Sequence, residues 1–481
     1  MSGTSIVTRD ESRVITDRRG QWMILAVMAV AMFLDGMDGT IVNVVLPEIS
    51  ESFTTDTSTT SWVVTIYFLM MAGLILIFGK VADGGAIKRV FVGGMAIFTV
   101  SSLLCGLSTT LPLLLAFRAV QGVGAAMLAV SAFMLCVKFL PKSMAAFAMS
   151  MGVLGIAVGG AMGPAIGGVL SELMSWHLVF FINVPIGIVA IALALKAVPR
   201  DGEFTARGFD LRGAALLFVS MVCGLYVLES APSHGFDGVS AACLLVFVVG
   251  MALFVVVERR AADPVLKLRL FRLPRLLAAI VTMVIINMCY MGCIYLIPYY
   301  LQVEMGLDSI DSGYYLLIPA VATLAFCVWI GRLADKYGNR PFAILSCVIM
   351  LASMVVFALI DPDAVWMLVL GLICMGVMWG IGGGPISSRM LENVPDEDRP
   401  SSSSLNSFII YFGCAAGTAL FAGLFGLGSG SSGQDLAGLS GEVFLEGFRF
   451  AMVFGVVLSI IALVLSWAVN ERKAPRRRAE E

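Results

Sequence analysis

The amino-acid sequence predicts an all-α polytopic membrane protein with fourteen transmembrane helices. Of its 481 residues, 59% are hydrophobic and only 13% are charged, whereas a soluble globular chain is about 45–50% apolar and about 25% charged. The apolar runs are each long enough to supply the about 20 helical residues that cross a bilayer. They also lack the alternation of about 10-residue strands that is typical of a membrane β-barrel.

The predicted spans are separated by short polar segments, which fix their order along the chain. Because their number is even, both termini must lie on the same side of the membrane. To within a few residues the spans are Trp22–Leu46, Ser61–Phe78, Val90–Leu107, Leu111–Val137, Ala145–Leu170, Leu178–Val198, Leu211–Leu228, Val239–Val257, Leu276–Leu301, Gly313–Ile330, Phe342–Ile360, Ala364–Ile386, Ser404–Leu427 and Phe448–Val469.

Basic and acidic loops alternate along the chain. One set of loops and both tails are rich in lysine and arginine, whereas the opposite loops are acidic, apart from Arg449 at the start of the last span. Lysine and arginine accumulate on the cytoplasmic side of membrane proteins. The pattern predicts a multi-pass protein of the inner (plasma) membrane with both termini in the cytoplasm.

Several classes of protein are disfavoured by what the chain contains. A net charge of -2 gives no reason to expect nucleic-acid binding. The ten cysteines fall inside predicted spans without the spacing of metal ligands. We find no phosphate-binding GxxxxGK[ST] motif and no catalytic constellation, so we expect neither an enzyme nor a bound cofactor. Transport would then have to be driven by an ion gradient. Both histidines are predicted near the outer surface, so proton coupling would depend on carboxylates.

A weak internal repeat divides the chain. GKVAD (Gly79–Asp83) follows the second span and GRLAD (Gly331–Asp335) follows the tenth, and each is followed by a basic residue, Lys88 or Arg340. Many transporter folds are built from such repeats. The distance between the copies leaves room for two extra helices between two six-helix bundles. The expected organisation is a tail at 1–20, a bundle at 21–200, two inserted helices and a linker at 201–275, a second bundle at 276–470, and a basic tail at 471–481.

These motifs resemble the major facilitator superfamily, in its fourteen-spanner drug:proton antiporter branch. GRLADKYGNR is close to the cytoplasmic loop signature, whereas GKVADGGAIKR departs from it at Ala86 and Ile87. MDGTIVNVVLP, LAFRAVQGVGAA, GIAVGGAMGPAIGG, WHLVFFINVPIG and DPVLKLRLFR are similar to further motifs of the superfamily or the branch. The resemblance covers nearly the whole chain, and it implies alternating access, proton coupling and multidrug efflux, with antibiotic resistance as a consequence.

Two carboxylates, Asp35 and Asp38, lie in the first span. A charge at the bilayer centre costs about 2.5–3.5 kcal/mol on insertion scales, and such residues usually serve function. Their spacing of three puts both on one helical face, where burial and like charge favour proton uptake. Asp38 lies in the resembled motif, whereas Asp35 is an additional carboxylate. Arg118, in the fourth span, must pair with a carboxylate or with carbonyls, and the resemblance makes it a coupling residue.

Further residues are expected to line the cavity or to control the conformational change. The glycine ridge of the fifth span is predicted to pack tightly and to slide or seal between the bundles, and the repeat loops are predicted to clamp the bundles together. The cavity candidates are Asn43, Tyr67, Gln121, Asn183, Asn287, Tyr290 and Tyr295, each of which could equally be a packing residue. The gating candidates are Gly79, Asp83, Lys88, Gly155, Gly159, Gly163, Pro164, Gly167, Gly331, Asp335 and Arg340.

The charge inside the membrane favours cationic cargo. Two aspartates against one arginine give a net charge of -1 when both are ionised, and 28 methionines suit a promiscuous apolar lining. We therefore expect a monomer that exchanges protons for lipophilic cations across the lipid bilayer. Two alternatives stay open: an exporter of the same fold with a dedicated lipid, amino acid or siderophore substrate, and a membrane sensor that transports nothing.

Overall fold

The computed structural model describes residues 14–141, 144–201, 210–261, 264, 266, 268–392, 399–430 and 441–468, and among these residues it contains no β-strand. Fourteen helical segments are long and apolar enough to cross a membrane, which confirms the predicted number. The helices are α1 Arg18–Ser52, α2 Thr57–Val81, α3 Ile87–Gly106, α4 Leu111–Phe139, α5 Ala145–Leu173, α6 Leu178–Phe181, α7 Asn183–Ala197, α8 Leu211–His234, α9 Gly238–Arg260, α10 Pro274–Tyr299, α11 Ser309–Tyr337, α12 Asn339–Ala358, α13 Val365–Glu392, α14 Arg399–Ser429 and α15 Gly441–Ala468.

Aspartates fix where several of these helices begin. Asp56 precedes α2 and accepts a hydrogen bond from the backbone N–H of Thr59, and Asp237 and Asp308 do the same for α9 and α11. A side-chain oxygen at this position satisfies a backbone donor that has no partner within the helix, and its charge complements the helix dipole. At Asp237, which is fully exposed, the Ser240 backbone hydrogen bond also lowers the pKa. Part of the acidity of these loops is therefore explained by capping.

The helices form two six-span bundles with an inserted pair between them in the chain. The first bundle contains α1–α7, in which α6 and α7 together make one span that is interrupted at Ile182. The second contains α10–α15. The inserted helix α8 packs against α2 of the first bundle and α14 of the second, whereas α9 contacts mainly α8. Most side chains of α9 are exposed in the structure, as expected for a helix that faces lipid.

The two repeat loops differ in where the backbone turns. Gly338 has a φ of 87°, in the left-handed region that favours glycine, and it lies three residues after Asp335. In the first copy the corresponding residue is Ala86, and the positive φ of 108° occurs one residue earlier, at Gly85. The departure of GKVADGGAIKR from the signature is thus accommodated by shifting the turn by one residue.

The glycine ridge of α5 packs against α1 of its own bundle. A Cβ atom at Gly159 would lie 2.1 Å from the carbonyl oxygen of Phe33, and one at Gly36 would lie 2.1 Å from that of Ile156. Gly155, Gly163 and Gly167 also meet α1. The predicted tight packing of the ridge therefore occurs within the first bundle, whereas its role in sliding or sealing between the bundles stays a prediction.

The contact of α5 with the second bundle uses a neighbouring face of the helix. A Cβ atom at Gly168 would lie 2.1 Å from the carbonyl oxygen of Ser309, and one at Gly313 would lie 2.6 Å from that of Pro164. Of the gating candidates predicted on the fifth span, Pro164 is thus the one whose contact with the opposite bundle is described above. Glycine at such crossings lets two backbones approach more closely than side chains would allow.

The tight crossing of α1 and α5 gives a prediction with a matched control. Gly159→Ala should destabilise the protein by about 1–3 kcal/mol, the usual cost of overpacking a core. Gly160→Ala adds the same methyl group on the next residue, where the nearest atom would be 3.7 Å away, and should leave stability unchanged or raised. Thermal unfolding of both variants in one detergent measures the difference. Equal melting temperatures for the two variants would contradict the interlocked geometry.

The bundles are joined at the end of the molecule that carries the acidic loops, which we call the acidic end. There Glu48 of α1 accepts hydrogen bonds from Ser171 of its own bundle and Ser309 of α11. Gln302 donates to the carbonyl of Val44 at 2.8 Å, and Tyr295 donates to the carbonyl of Thr57. These bonds close the acidic end across the bundle interface.

Candidate functional site

The side chain of Asp38 is the centre of a buried polar network in the first bundle. Only 1% of the residue is exposed. Oδ2 accepts a hydrogen bond from Nη1 of Arg118 at 2.7 Å, and Oδ1 accepts from Nε2 of Gln121 and Nδ2 of Asn183, both at 2.9 Å. The carboxylate therefore accepts three hydrogen bonds, one of them from a cation.

Arg118 is held by more than its partner carboxylate. Its Nε donates to the carbonyl oxygen of Val63 at 2.9 Å, and Nη1 also reaches Oε1 of Gln121 at 2.7 Å. The guanidinium lies 4.2 Å from the ring centroid of Tyr67, close enough for a cation–π interaction. The guanidinium of Arg118 therefore contacts a carboxylate, a carbonyl oxygen and an aromatic ring. Such partners offset the free energy that a buried arginine costs inside the membrane.

The network connects most helices of the first bundle. Gln121 lies three residues after Arg118 on α4, so both face α1, and its Nε2 also donates to Oγ of Ser102 on α3 at 2.7 Å. Asn183 is the first residue of α7, immediately after the interruption of the sixth span. A change in the charge of Asp38 would consequently be felt by α1, α2, α3, α4 and α7.

Asp35 lies one turn from Asp38 but points to different partners. It is partly exposed, and its Oδ2 accepts a hydrogen bond at 3.1 Å from the hydroxyl of Tyr411, on α14 of the second bundle. The ring of Tyr411 stacks on that of Phe68 of α2, with centroids 6.3 Å apart. Asp38 is therefore bound within its own bundle, whereas Asp35 connects the two bundles.

The other cavity candidates are distributed over three places. Tyr67 and Asn43 are buried near the network, whereas Tyr295 belongs to the closed acidic end. In the second bundle Asn287 is buried and bonds the carbonyl of Met283, and the ring of Tyr290 stacks on Trp379 with centroids 5.4 Å apart. The structure brings Gln121 and Asn183 to Asp38 and Tyr67 to Arg118, and it gives Tyr290, Tyr295 and Asn287 other partners.

Some polar atoms near the network have no hydrogen-bond partner among the described residues. They are the hydroxyl of Tyr67, Oδ1 of Asn43 and Oδ1 of Asn183. Buried polar atoms are nearly always satisfied by protein or by ordered water. Tyr67 and Asn183 also contact Arg118 and Asp38, so the polar groups of the site extend beyond the bonded network.

Two gating candidates of the repeat loops, Lys88 and Arg340, donate to backbone carbonyls of their own bundles, whereas Lys80 of the first loop donates to the carbonyl of Pro264 in the linker at 3.3 Å. Lys88 donates from Nζ to the carbonyl oxygens of Leu195 and Val198, at 3.0 and 2.6 Å. Arg340 donates to the carbonyl of Trp467 at 2.8 Å. Gly79 lies in the last turn of α2. The side chains of Asp83 and Asp335, and the surroundings of Gly331, lie outside what the structure describes, so the clamp between the bundles stays a prediction.

No specific signal in the sequence marks three residues that the structure adds to the site or its surroundings. Tyr411 is one of ten tyrosines, and nothing in its neighbourhood marks it as a partner of the first helix. Glu48 lies two residues beyond the predicted first span, yet it belongs to α1 and bridges the bundles. Glu229 lies one residue beyond the predicted seventh span, yet it is buried in α8.

Comparison with known proteins identifies relatives over most of the chain. The riboflavin transporter RibZ of Clostridioides difficile is 29% identical over 415 residues, which cover 84% of this chain and 88% of that protein. The multidrug resistance protein Stp of Mycobacterium tuberculosis is 30% identical over 406 residues, which cover 84% and 75%.

A solved structure and a family model agree on the fold. A bacterial homologue of the human lysosomal transporter Spinster has a TM-score of 0.66 and 17% identity, over 94% of this chain and 97% of that chain. Residues 28–418 match the family model of the Major Facilitator Superfamily. The chain therefore belongs to the Major Facilitator Superfamily, in its fourteen-span branch, and is a membrane transporter, not an enzyme.

Proposed function

We propose that this protein is a proton-coupled antiporter that exports lipophilic cations. The observation that carries the proposal is the pairing of Asp38 with Arg118 inside the first bundle, beside a second carboxylate, Asp35, that faces the other bundle. The similarity to Stp, which is named a multidrug resistance protein, supports the same class of cargo. An ion gradient supplies about 2.3 kcal/mol per charge at 100 mV, which is sufficient for uphill transport.

The two carboxylates have different roles in this proposal. Asp38 is almost completely buried and bonded to Arg118, so a proton that binds it competes with the guanidinium and changes the whole network; we assign the exchanged proton to this residue. Asp35 is partly exposed and its described partner is the neutral hydroxyl of Tyr411, so its negative charge is available to a cation. Protonation of Asp38 weakens its bond to Arg118, and the guanidinium then depends on Val63 and Tyr67.

The orientation of the molecule is part of the same proposal. If the basic loops are cytoplasmic, as their composition indicates, the acidic end faces outward and the bonds of Glu48, Gln302 and Tyr295 close the external side. The external side is then closed in this structure, which alternating access requires before cargo can enter from the cytoplasm. The protein acts as a monomer with a small-molecule substrate and protons, within the inner membrane.

A dedicated substrate is the second candidate function, and one observation favours it. RibZ, which is named a riboflavin transporter, is as similar to this chain as Stp is. Riboflavin carries no positive charge at neutral pH, so a cation-selective site would have little reason to bind it. Cargo charge is therefore the property that separates the two candidates.

Proton release driven by cargo tests the proposal. Purified protein in liposomes that contain a pH dye is given a lipophilic cation, a neutral lipophilic dye or riboflavin. We expect the cation to drive proton release, and Asp35→Asn to reduce this flux at least tenfold, which corresponds to about 1.4 kcal/mol, with a smaller loss for the neutral dye. Asp363→Asn, in an exposed loop, serves as control. Proton release with riboflavin alone would establish the dedicated transporter, and no proton movement with any compound would refute antiport.

A further inference from the structure

The inserted helix α8 carries a third buried carboxylate, which the exchange mechanism above does not use. Glu229 is 3% exposed. Its Oε2 accepts a hydrogen bond from Nε1 of Trp62 at 3.0 Å, and its Oε1 accepts one from the hydroxyl of Ser58. Both donors belong to α2 of the first bundle. The carboxylate therefore attaches the inserted pair of helices to a helix of the transport core.

The same turn of α8 also meets the second bundle. A Cβ atom at Gly423 of α14 would lie 2.6 Å from the backbone oxygen of Glu229, so the two helices are in close contact at this residue. α2 and α14 also pack against each other across the bundle interface. Glu229 thus lies where one helix of each bundle and the inserted helix converge.

Its surroundings are polar and close to the aqueous phase. Glu229 precedes the end of α8 at His234 by five residues, or about 8 Å at about 1.5 Å per residue. Tyr295 of α10 lies within electrostatic reach of Glu229 and of Asp56, the residue that caps α2. Tyr226, one turn earlier on α8, packs its ring against Trp62, and α9 contributes the exposed Asp237 at its first turn. Among the side chains that the structure describes, the titratable groups named around Glu229 are thus acids and phenols at the acidic end.

The chemistry of its two donors makes this contact sensitive to protonation. An indole N–H can only donate a hydrogen bond, whereas a serine hydroxyl can donate or accept. A proton on Oε2 turns that oxygen into a donor toward the indole, and the Trp62 bond is lost. A proton on Oε1 requires Ser58 to turn its hydroxyl and accept, and the Trp62 bond then ends on a neutral carbonyl oxygen, which is a weaker acceptor than a carboxylate. We propose that Glu229 is a proton-binding site, and that its protonation weakens the attachment of α8 to Trp62 of α2.

The fluorescence emission of Trp62 can be used to detect the protonation of Glu229, because the indole N–H bonds this carboxylate. The protein is placed in nanodiscs, where both faces meet one buffer, and the Trp62→Phe spectrum is subtracted from the wild-type spectrum at each pH. The difference should show a single transition on acidification. Glu229→Gln keeps the shape and an acceptor oxygen, and should abolish the transition. Glu446→Gln, an exposed glutamate in α15 at the same end, should leave it in place.

Two results would overturn the proposal. One is a Trp62 difference spectrum that does not change with pH; the other is a transition that persists in Glu229→Gln. The measurement needs no transport and should give the same transition in Asp38→Asn, so its failure is distinct from a failure of the antiport proposal. If Glu229→Gln does not fold, infrared spectroscopy of the Trp62→Phe variant tests the proposal instead. On acidification, the carboxylic-acid band of Glu229 should appear at a higher pH than in wild type, because the variant lacks the indole N–H that bonds the charged carboxylate. An unchanged band would refute the assignment.

Discussion

Asp38→Asn is expected to abolish proton-coupled efflux of every cargo while the protein still folds and inserts. The substitution fixes the neutral state with almost no change of shape, and the asparagine oxygen can still accept from Gln121 or Asn183. It cannot exchange a proton, and it leaves the buried Arg118 without its carboxylate. Removing one partner of a buried ion pair costs about 3–5 kcal/mol of stability, so the melting temperature should fall as well.

The measurement is efflux of a fluorescent cation and of a neutral dye against a gradient, with proton flux recorded beside each. Passive exchange down a cargo gradient should remain, since it needs no proton. Asp363→Asn should behave as wild type in all of these assays. If Asp38→Asn still concentrates cargo with unchanged proton release, the proton is carried elsewhere, and Asp35 and Glu229 become the acids to examine.

Arg118→Ala is expected to reduce gradient-driven transport as severely as loss of Asp38, for the opposite electrostatic reason. It leaves a carboxylate buried without its cation, which again costs about 3–5 kcal/mol and favours permanent protonation of Asp38. Arg118→Lys should rescue part of the activity. An ammonium can pair with Asp38, but it lacks the planar fork that reaches Val63 and Gln121 together.

A double variant separates stability from transport. Asp38→Asn combined with Arg118→Gln removes both charges, and replacing a buried ion pair by neutral groups is often neutral for stability. The melting temperature should therefore recover relative to either single variant, while gradient-driven efflux stays absent. Transport at the wild-type rate by Arg118→Ala would contradict the coupling role of this arginine and leave it only a packing role. Recovery of transport in the double variant would show that the pair is structural.

The contacts of Asp35 and Asp38 show how far the sequence could go. Both were found because a carboxylate in an apolar span is costly, and that cost can be read from the composition of one helix. Their spacing predicts a shared face, and it does place them one turn apart. It could not predict that Asp35 bonds Tyr411, because that partner lies 376 residues away in another bundle.

The glycines of α5 show the same limit for packing. Their spacing of four predicts a groove that another helix can enter, and the structure contains that crossing. Which helix enters depends on the rotation of α5 in the bundle, and the sequence of α5 alone does not contain that information. The ridge faces α1, whereas Pro164 and Gly168 of α5 contact the second bundle.

Hydropathy and charge by themselves determined the membrane class and the fourteen spans, and they marked Asp38 and Arg118 as candidate site residues. These follow from the cost of placing a residue in lipid, which is a local property of the chain. The two bundles with an inserted pair followed from the internal repeat, which is also visible in the sequence alone. Only the tertiary structure decided that Gln121 and Asn183 bind Asp38, that Glu48 closes the acidic end, and that Glu229 is buried against Trp62. Hydrogen bonds between helices depend on which faces meet, and that is set by the packing of all the helices together.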